Sequence, residues 1–365
     1  MSNKRKNLML FLASQTISYF GSLLVSYAIT WHITLHTKSG TMMTISILCS
    51  FLPTFFISPF GGVWADKYNR KMLIIVSDSI IALSTLVLAL LFLNGYNHLW
   101  LLYIASAIRA LGAGVQMPAI NALIPQLAPE DKLTKVNAIN STLQSVVTLI
   151  SPILSAALLS SAPIEELFFI AVITAAIAIF ILLIFVQFED TANISSEKKS
   201  SYFKEMREGF LYIRDHEFVK TLFFFDAIFF ILIAPIAFLT PLQVARTFGS
   251  DVWLLTALEV VYSLGMIAGG VAMTSWNGFN NRIHTMVFSN VIFSISTIAL
   301  GIVNNYTIYL FFIALTGVVF PIFNTPFNVM LQEKVHPNYL GRVFGFINMI
   351  ASSIMPLGMI IFGPL

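Results

Sequence analysis

A chain of 365 residues that is 57% hydrophobic and only 10% charged, with a mean hydropathy of +0.85, cannot be an ordinary soluble domain, where about a quarter of residues carry charge. The formal charge of +3 says little as a total, and nucleic acid is not expected among the partners. The single cysteine, Cys49, excludes an internal disulfide and a cysteine-based zinc site.

Taken in chain order, apolar stretches near residues 8–35, 41–64, 72–93, 99–124, 136–160 and 166–187 are each long enough to cross a bilayer as a helix, which needs about 20 residues. The first apolar run is too long for a cleavable signal peptide. Residues 188–217 are the only long hydrophilic stretch and predict a linker, with a surface helix around Tyr202 to Arg214. Further spans follow near 218–244, 252–275, 284–303, 306–331 and 341–365. The expected protein is an all-α integral membrane protein. It has an N-terminal six-helix bundle over 1–187, the linker 188–217, and a C-terminal bundle of five helices over 218–365.

Charge placement supplies orientation. With alternate loops on opposite sides, 17 of the 20 Lys and Arg fall on one face. Lys38 and Arg246 are the exceptions on the other face, and Arg109 lies within a span. The positive-inside rule makes the richer face cytoplasmic, and with it the N-terminus and the linker.

Sliding the chain against itself by 208 residues aligns Gly61-Gly62 with Gly269-Gly270, Asn69 with Asn277, Pro118 with Pro326, Pro129 with Pro337, and Ile139-Asn140 with Ile347-Asn348. Glycine and proline carry backbone geometry, so their coincidence at helix ends points to two related halves. By that symmetry a twelfth helix is absent from the second half, which suggests a truncated chain or an atypical one.

The stretch GGVWADKYNRK joins the second and third spans through a short turn, which makes them antiparallel neighbours. Its glycines allow another helix to approach closely. The spacing of Gly62, Asp66, Lys67, Arg70 and Lys71 resembles the signature between helices 2 and 3 of the major facilitator superfamily. That family usually has glycine where Asn69 stands, and asparagine is tolerable there because it accepts left-handed backbone angles. The resemblance implies two pseudo-symmetric bundles and a cytoplasmic gate in which Asp66 meets the start of helix 11, here Gly341-Arg342. A helix N-terminus stabilises a nearby carboxylate. The second-half copy keeps the glycines and loses the acid, so the gate is expected to be asymmetric.

Ionisable residues inside spans are expensive and are therefore functional candidates. Asp78 lies about 12 Å beyond Arg70 along its helix. It is expected to pair with the loop cations of the gate, proton carriage being the other reading. Arg109 opens RALGAGVQMP, which resembles the family's helix-4 arginine motif, although its glycines stand three and five positions on instead of four. The resemblance implies a role in proton coupling; a structural ion pair is the alternative. Asp226, among aromatics in FFFDAIFF, and Glu259 are placed at similar depth and are the further proton-coupling candidates. The helix-5 antiporter pattern is reduced to SPILSAA, with Pro152 kept and the glycines replaced, whose small residues are expected to ease packing near helix 11.

Helices 1, 4, 7 and 10 line the cavity in the resembled family, and Gln15, Tyr19, Tyr27, Trp31 and Gln116 are candidates to face it. A cavity rich in aromatics and methionine suits large amphiphilic molecules. No nucleotide-binding motif and no Ser/His/Asp or metal constellation appears, so no enzyme activity, cofactor or metal is expected. The run from GVWADKYNRK through GAGVQMPA to GRVFGFINMIASSIMPLGMIIFGPL is similar to the drug-efflux branch that contains bacterial macrolide exporters. This implies a monomeric, proton-coupled exporter of hydrophobic drugs in a bacterial plasma membrane. The alternatives are a siderophore or other metabolite exporter, and a truncated remnant that does not transport.

Overall fold

The computed structural model describes residues 3–128, 133–186, 210–276 and 278–335, together with positions 343, 358 and 360–362. Ten long helices occur among the described residues: α1 (Asn3–Thr37), α2 (Gly40–Lys67), α3 (Arg70–Leu93), α4 (Leu99–Leu127), α5 (Leu133–Ser161), α6 (Ile164–Phe185), α7 (Glu217–Thr247), α8 (Val252–Trp276), α9 (Arg282–Ile302) and α10 (Tyr306–Lys334). Each is long and apolar enough to span a membrane. The predicted eleventh span falls almost wholly outside the described residues. Of the linker, 210–215 is helical, Glu217 already belongs to α7, and 187–209 lies outside the described residues.

The chain divides into two compact units, Met1–Thr37 with Thr41–Lys199, and Lys38–Gly40 with Ser200–Leu365. In the first, α1 packs along α5 and α6, and α3 along α4 and α6. In the second, α10 packs against both α8 and α9. Between helices in lipid there is no hydrophobic drive, so close contact depends on small residues and on hydrogen bonds across the interface. A methyl group added to Gly61 would stand 2.6 Å from the Gly114 carbonyl oxygen on α4, closer than real packing permits. At the related position, a methyl on Gly269 would stand 2.1 Å from the Val318 carbonyl oxygen on α10. The neighbouring Gly62 and Gly270 both face open space within 4 Å. Thus the 208-residue repeat recurs as geometry, and only the first glycine of each pair serves helix approach. The expectation that Gly62 also does so is corrected.

The small residues of SPILSAA pack against α1, where Ser155 donates to the Leu24 carbonyl at 3.3 Å. The helix 11 expected near them from the sequence lies almost wholly outside the described residues.

Helix starts are closed by asparagines. The side chain of Asn69 accepts from the Met72 N–H at 3.0 Å, and Asn281 and Asn305 cap α9 and α10 in the same way. Asn69 has φ −60°, so it replaces glycine as a cap and does not use the left-handed region expected of it.

The interior of the first unit is layered. One apolar layer gathers Leu8, Phe11 and Leu12 with Ile74, Leu123 and Leu182. The other gathers Leu24, Ile29 and Ile33 with Leu88, Leu102 and Phe168. Between these layers α1, α3 and α4 carry buried polar residues, among them Ser18, Asp78 and Arg109, which form the candidate site.

Candidate functional site

Asp78 sits on α3 between the two apolar layers and is 1% exposed. Its Oδ1 accepts from the Ser18 hydroxyl of α1 at 2.6 Å and from the Gln116 amide of α4 at 2.7 Å. Three helices therefore converge on one carboxyl oxygen, and these partners replace the loop cations expected from the sequence. Its Oδ2 is buried without a hydrogen-bond partner, as is Oε1 of Gln15. Gln15 is one turn from Ser18 on α1, and its amide donates to Ser14 at the long distance of 3.5 Å.

Arg109 is 8% exposed and repeats the three-helix pattern. Its guanidinium donates to Thr85 Oγ1 on α3 at 2.6 Å and to the Ser22 carbonyl on α1 at 3.0 Å. Among the described residues no carboxylate lies in ion-pair range of it, so the ion-pair alternative gives way to neutral acceptors. Asp78 and Thr85 are seven residues apart on α3, as are Arg109 and Gln116 on α4. The two clusters are therefore stacked about 10 Å apart along one seam. At that separation, with an effective dielectric constant of about 20, the two charges attract by about 1.5 kcal/mol, a long-range coupling without contact.

The glycines beside Arg109 let this seam form. A methyl on Gly112 would come within 2.7 Å of Ile81 on α3, and one on Gly114 within 2.3 Å of Ile57 on α2. The irregular spacing of three and five thus serves two neighbouring helices. Ser18, Ser22 and Thr85 were not singled out in the sequence. The signal was the recurrence of Gln15, Ser18 and Ser22 at helical spacing in an apolar span.

The remaining candidates on α1 lie along the same helix. Tyr19 and Tyr27 are half-buried, and Trp31 is 1% exposed and packed against Tyr27 with ring centroids 5.3 Å apart. Trp31 therefore fills the interior of the bundle. Gln116 is partly exposed.

At the α2–α3 turn the cations act as staples. Arg70 Nε donates to the Ala65 carbonyl in the last turn of α2 at 2.9 Å, and its Nη1 to Ala122 of α4 at 3.0 Å. Lys71 Nζ donates to Leu183 and Val186, at the end of α6, at 3.2 and 2.8 Å. Terminal helix carbonyls have no intrahelical donor, and a cation complements the dipole there. Lys67 is exposed. The side chain of Asp66, together with Gly341 and Arg342, lies outside the described residues. Lys71→Met keeps the apolar stem and removes the charge, and it is expected to lower stability by about 1 kcal/mol. A lower thermal midpoint in detergent, with the helical signal unchanged, would show it.

In the second unit the start of α9 is tied to the end of α10 by an ion pair between Arg282 and Glu333. Arg282 holds the Glu333 carboxyl below its usual range. Here a carboxylate takes the place that a backbone carbonyl takes for Arg70. Glu259 is half-buried on α8, one turn before Tyr262 on the same face. Asp226 lies on α7, and its side chain is outside the described residues.

A cavity of about 790 Å³ lies between α7, α9 and α10, lined by Phe229, Ile233, Met286, Phe293, Phe323 and Met330 among others. By the 208-residue relation α7 and α9 correspond to α1 and α3, the two helices on which α6 packs.

Comparison with known proteins agrees with this architecture. The family model described as Major Facilitator Superfamily matches residues 11–359. Macrolide efflux protein A of Streptococcus pyogenes is 28% identical over 351 residues, covering 96% of this chain and 86% of the relative. A protein of the same name from Enterococcus faecalis is 29% identical over 323 residues, covering 88% of this chain and all of the relative. A bacterial homologue of the human lysosomal transporter Spinster superposes with TM-score 0.74 at 16% identity, over 98% of this chain and 81% of that one. The nucleoside transporter NupG does so with TM-score 0.71 at 16% identity, over 100% and 90%. With the spans, the repeat and the α2–α3 signature all in place, the chain belongs to the major facilitator superfamily.

Proposed function

We propose that the protein is a secondary active transporter that exports hydrophobic or amphiphilic drugs of the macrolide class, by proton antiport with alternating access. The observation that carries this reading is similarity along 96% of the chain to a protein named for macrolide efflux. A carboxyl and a guanidinium buried among apolar layers support ion coupling, because intramembrane charges mark such pathways. The protein is expected to work as a monomer in the bacterial plasma membrane. The asymmetry of Lys and Arg supports a cytoplasmic N-terminus.

Energised cells expressing the full chain are expected to accumulate less radiolabelled macrolide than cells without it, and a protonophore is expected to erase the difference. Asp226→Asn and Glu259→Gln, on α7 and α8, are each expected to weaken the response to the proton gradient. Equal accumulation with and without the protein would remove the exporter reading. Efflux that survives the protonophore would remove the proton.

A further inference from the structure

We infer that Asp78 is the group on which the first bundle takes up and releases a proton, at its Oδ2 oxygen. The inference rests on the proton-coupled reading above and goes further by naming the atom.

The hydrogen-bond inventory is incomplete in one direction only. Oδ1 receives both available donors, from Ser18 and Gln116. Oδ2 of Asp78 and Oε1 of Gln15, both buried, receive none. Both acceptors are buried without a donor among the described residues, and a proton taken up on the carboxyl supplies one. Once protonated, a carboxyl group becomes a hydroxyl donor and loses its charge. Ionised, it keeps two strong hydrogen bonds on the other oxygen, which makes that form reachable despite burial. A carrier needs both states, and this site supports both.

The surroundings supply a reason for release. Of the elements that meet Asp78, α4 contributes Gln116 and, about 10 Å along the seam, Arg109. From α1 come Gln15, Ser18 and the half-buried Tyr19, with Lys6 more than two turns away. The acids of α6, Glu165 and Glu166, stand in its first turn. On α3 itself, Arg70 and Lys71 lie at the start of the helix and are bonded to carbonyls. Arg109 is thus the cation buried nearest in the seam, and it favours the ionised carboxylate. Gln116, partly exposed and bonded to Oδ1, connects the carboxyl to the accessible surface.

A metal ion fits less well. It needs several oxygen ligands, whereas Ser18 and Gln116 turn hydrogens toward Asp78. Among the described residues no three acids, histidines or cysteines come together. Uptake forms one O–H bond at Oδ2 with a proton drawn from water. Release breaks that bond and returns the proton to water, and no other bond changes.

The full chain in liposomes, with radiolabelled macrolide inside, provides the test. In Asp78→Asn, transport driven by a proton gradient is expected to fall about tenfold or more, and gradient-free macrolide exchange to fall much less. Infrared difference spectra between low and high pH are expected to show a protonated-carboxyl band in the wild type. That band should be absent in Asp78→Asn and shifted in Ser18→Ala, which removes one hydrogen bond and keeps the acid. An Asp78→Asn protein that couples like the wild type, or keeps the band, overturns the inference. So does a wild type driven equally well by a sodium gradient at constant pH. If the wild type shows no proton-driven transport, the antiport reading fails separately, and the infrared band alone then decides whether Asp78 is the protonated group.

Discussion

Gly269→Ala is expected to destabilise the second bundle by about 1–3 kcal/mol, the usual range for overpacking a tight contact. Gly270→Ala, one residue along the same helix, is expected to have almost no effect. The two substitutions add the same atom. At Gly269 the methyl would stand 2.1 Å from the Val318 carbonyl oxygen, 2.8 Å from its carbonyl carbon and 3.0 Å from its Cα, so α8 and α10 must separate. These atoms belong to backbone and cannot rotate away. The damage should spread, because Gly265 and Gly317 bring the same two helices together one turn earlier, where a methyl on either would stand 2.3 Å from the Ala314 or 2.4 Å from the Tyr262 carbonyl oxygen. At Gly270 nothing lies within 4 Å. The same contrast is expected between Gly61 and Gly62 in the first bundle. Thermal midpoints of the four alanine variants in one detergent check it, and similar values for Gly269→Ala and Gly270→Ala would contradict the packing.

The second large effect concerns Arg109. Arg109→Met is expected to reduce proton-driven transport by about tenfold, the factor that the 1.5 kcal/mol coupling to Asp78 implies at an effective dielectric constant of about 20. Stability should change by less than about 1 kcal/mol, because removing a buried charge also removes its desolvation penalty. The groups left behind stay satisfied as well. Thr85 still donates to the Ile81 carbonyl at 2.8 Å, and the Ser22 carbonyl still accepts from Ser26 at 3.0 Å. Arg109→Lys separates charge from geometry, since lysine keeps the positive charge and loses the rigid fork that reaches α1 and α3 together. If charge governs, the lysine variant retains most of the transport. Equal loss in both variants, with thermal midpoints near the wild type, would show that bridging three helices is what matters.

The α2–α3 signature illustrates how far spacing alone can be read. Its residues identify the family and imply a gate, and the positions of Arg70 and Lys71 place both at the start of α3. Spacing could not show that Arg70 reaches α4 or that Lys71 reaches the end of α6, because those acceptors are backbone carbonyls, which every residue has. Asn69 shows the reverse. Its type is compatible with both a left-handed turn and an N-cap, and only the backbone angles distinguish them.

What the amino-acid order determined by itself was the membrane class, the positions of ten described spans, the repeat at 208 residues and the family. Each depends on hydropathy summed over about 20 residues, or on glycine and proline at fixed separations, and such signals survive without knowledge of neighbours. The tertiary structure decided which residues meet. Helical spacing shows that Gln15, Ser18 and Ser22 share a face of α1, and that Asp78 and Thr85 share one of α3. It does not show that these faces oppose each other or that Arg109 and Gln116 on α4 complete them. Helix rotation and crossing are set by contacts between distant residues, here the glycines at 112 and 114. The partners of a buried charge therefore emerge only when the helices are packed.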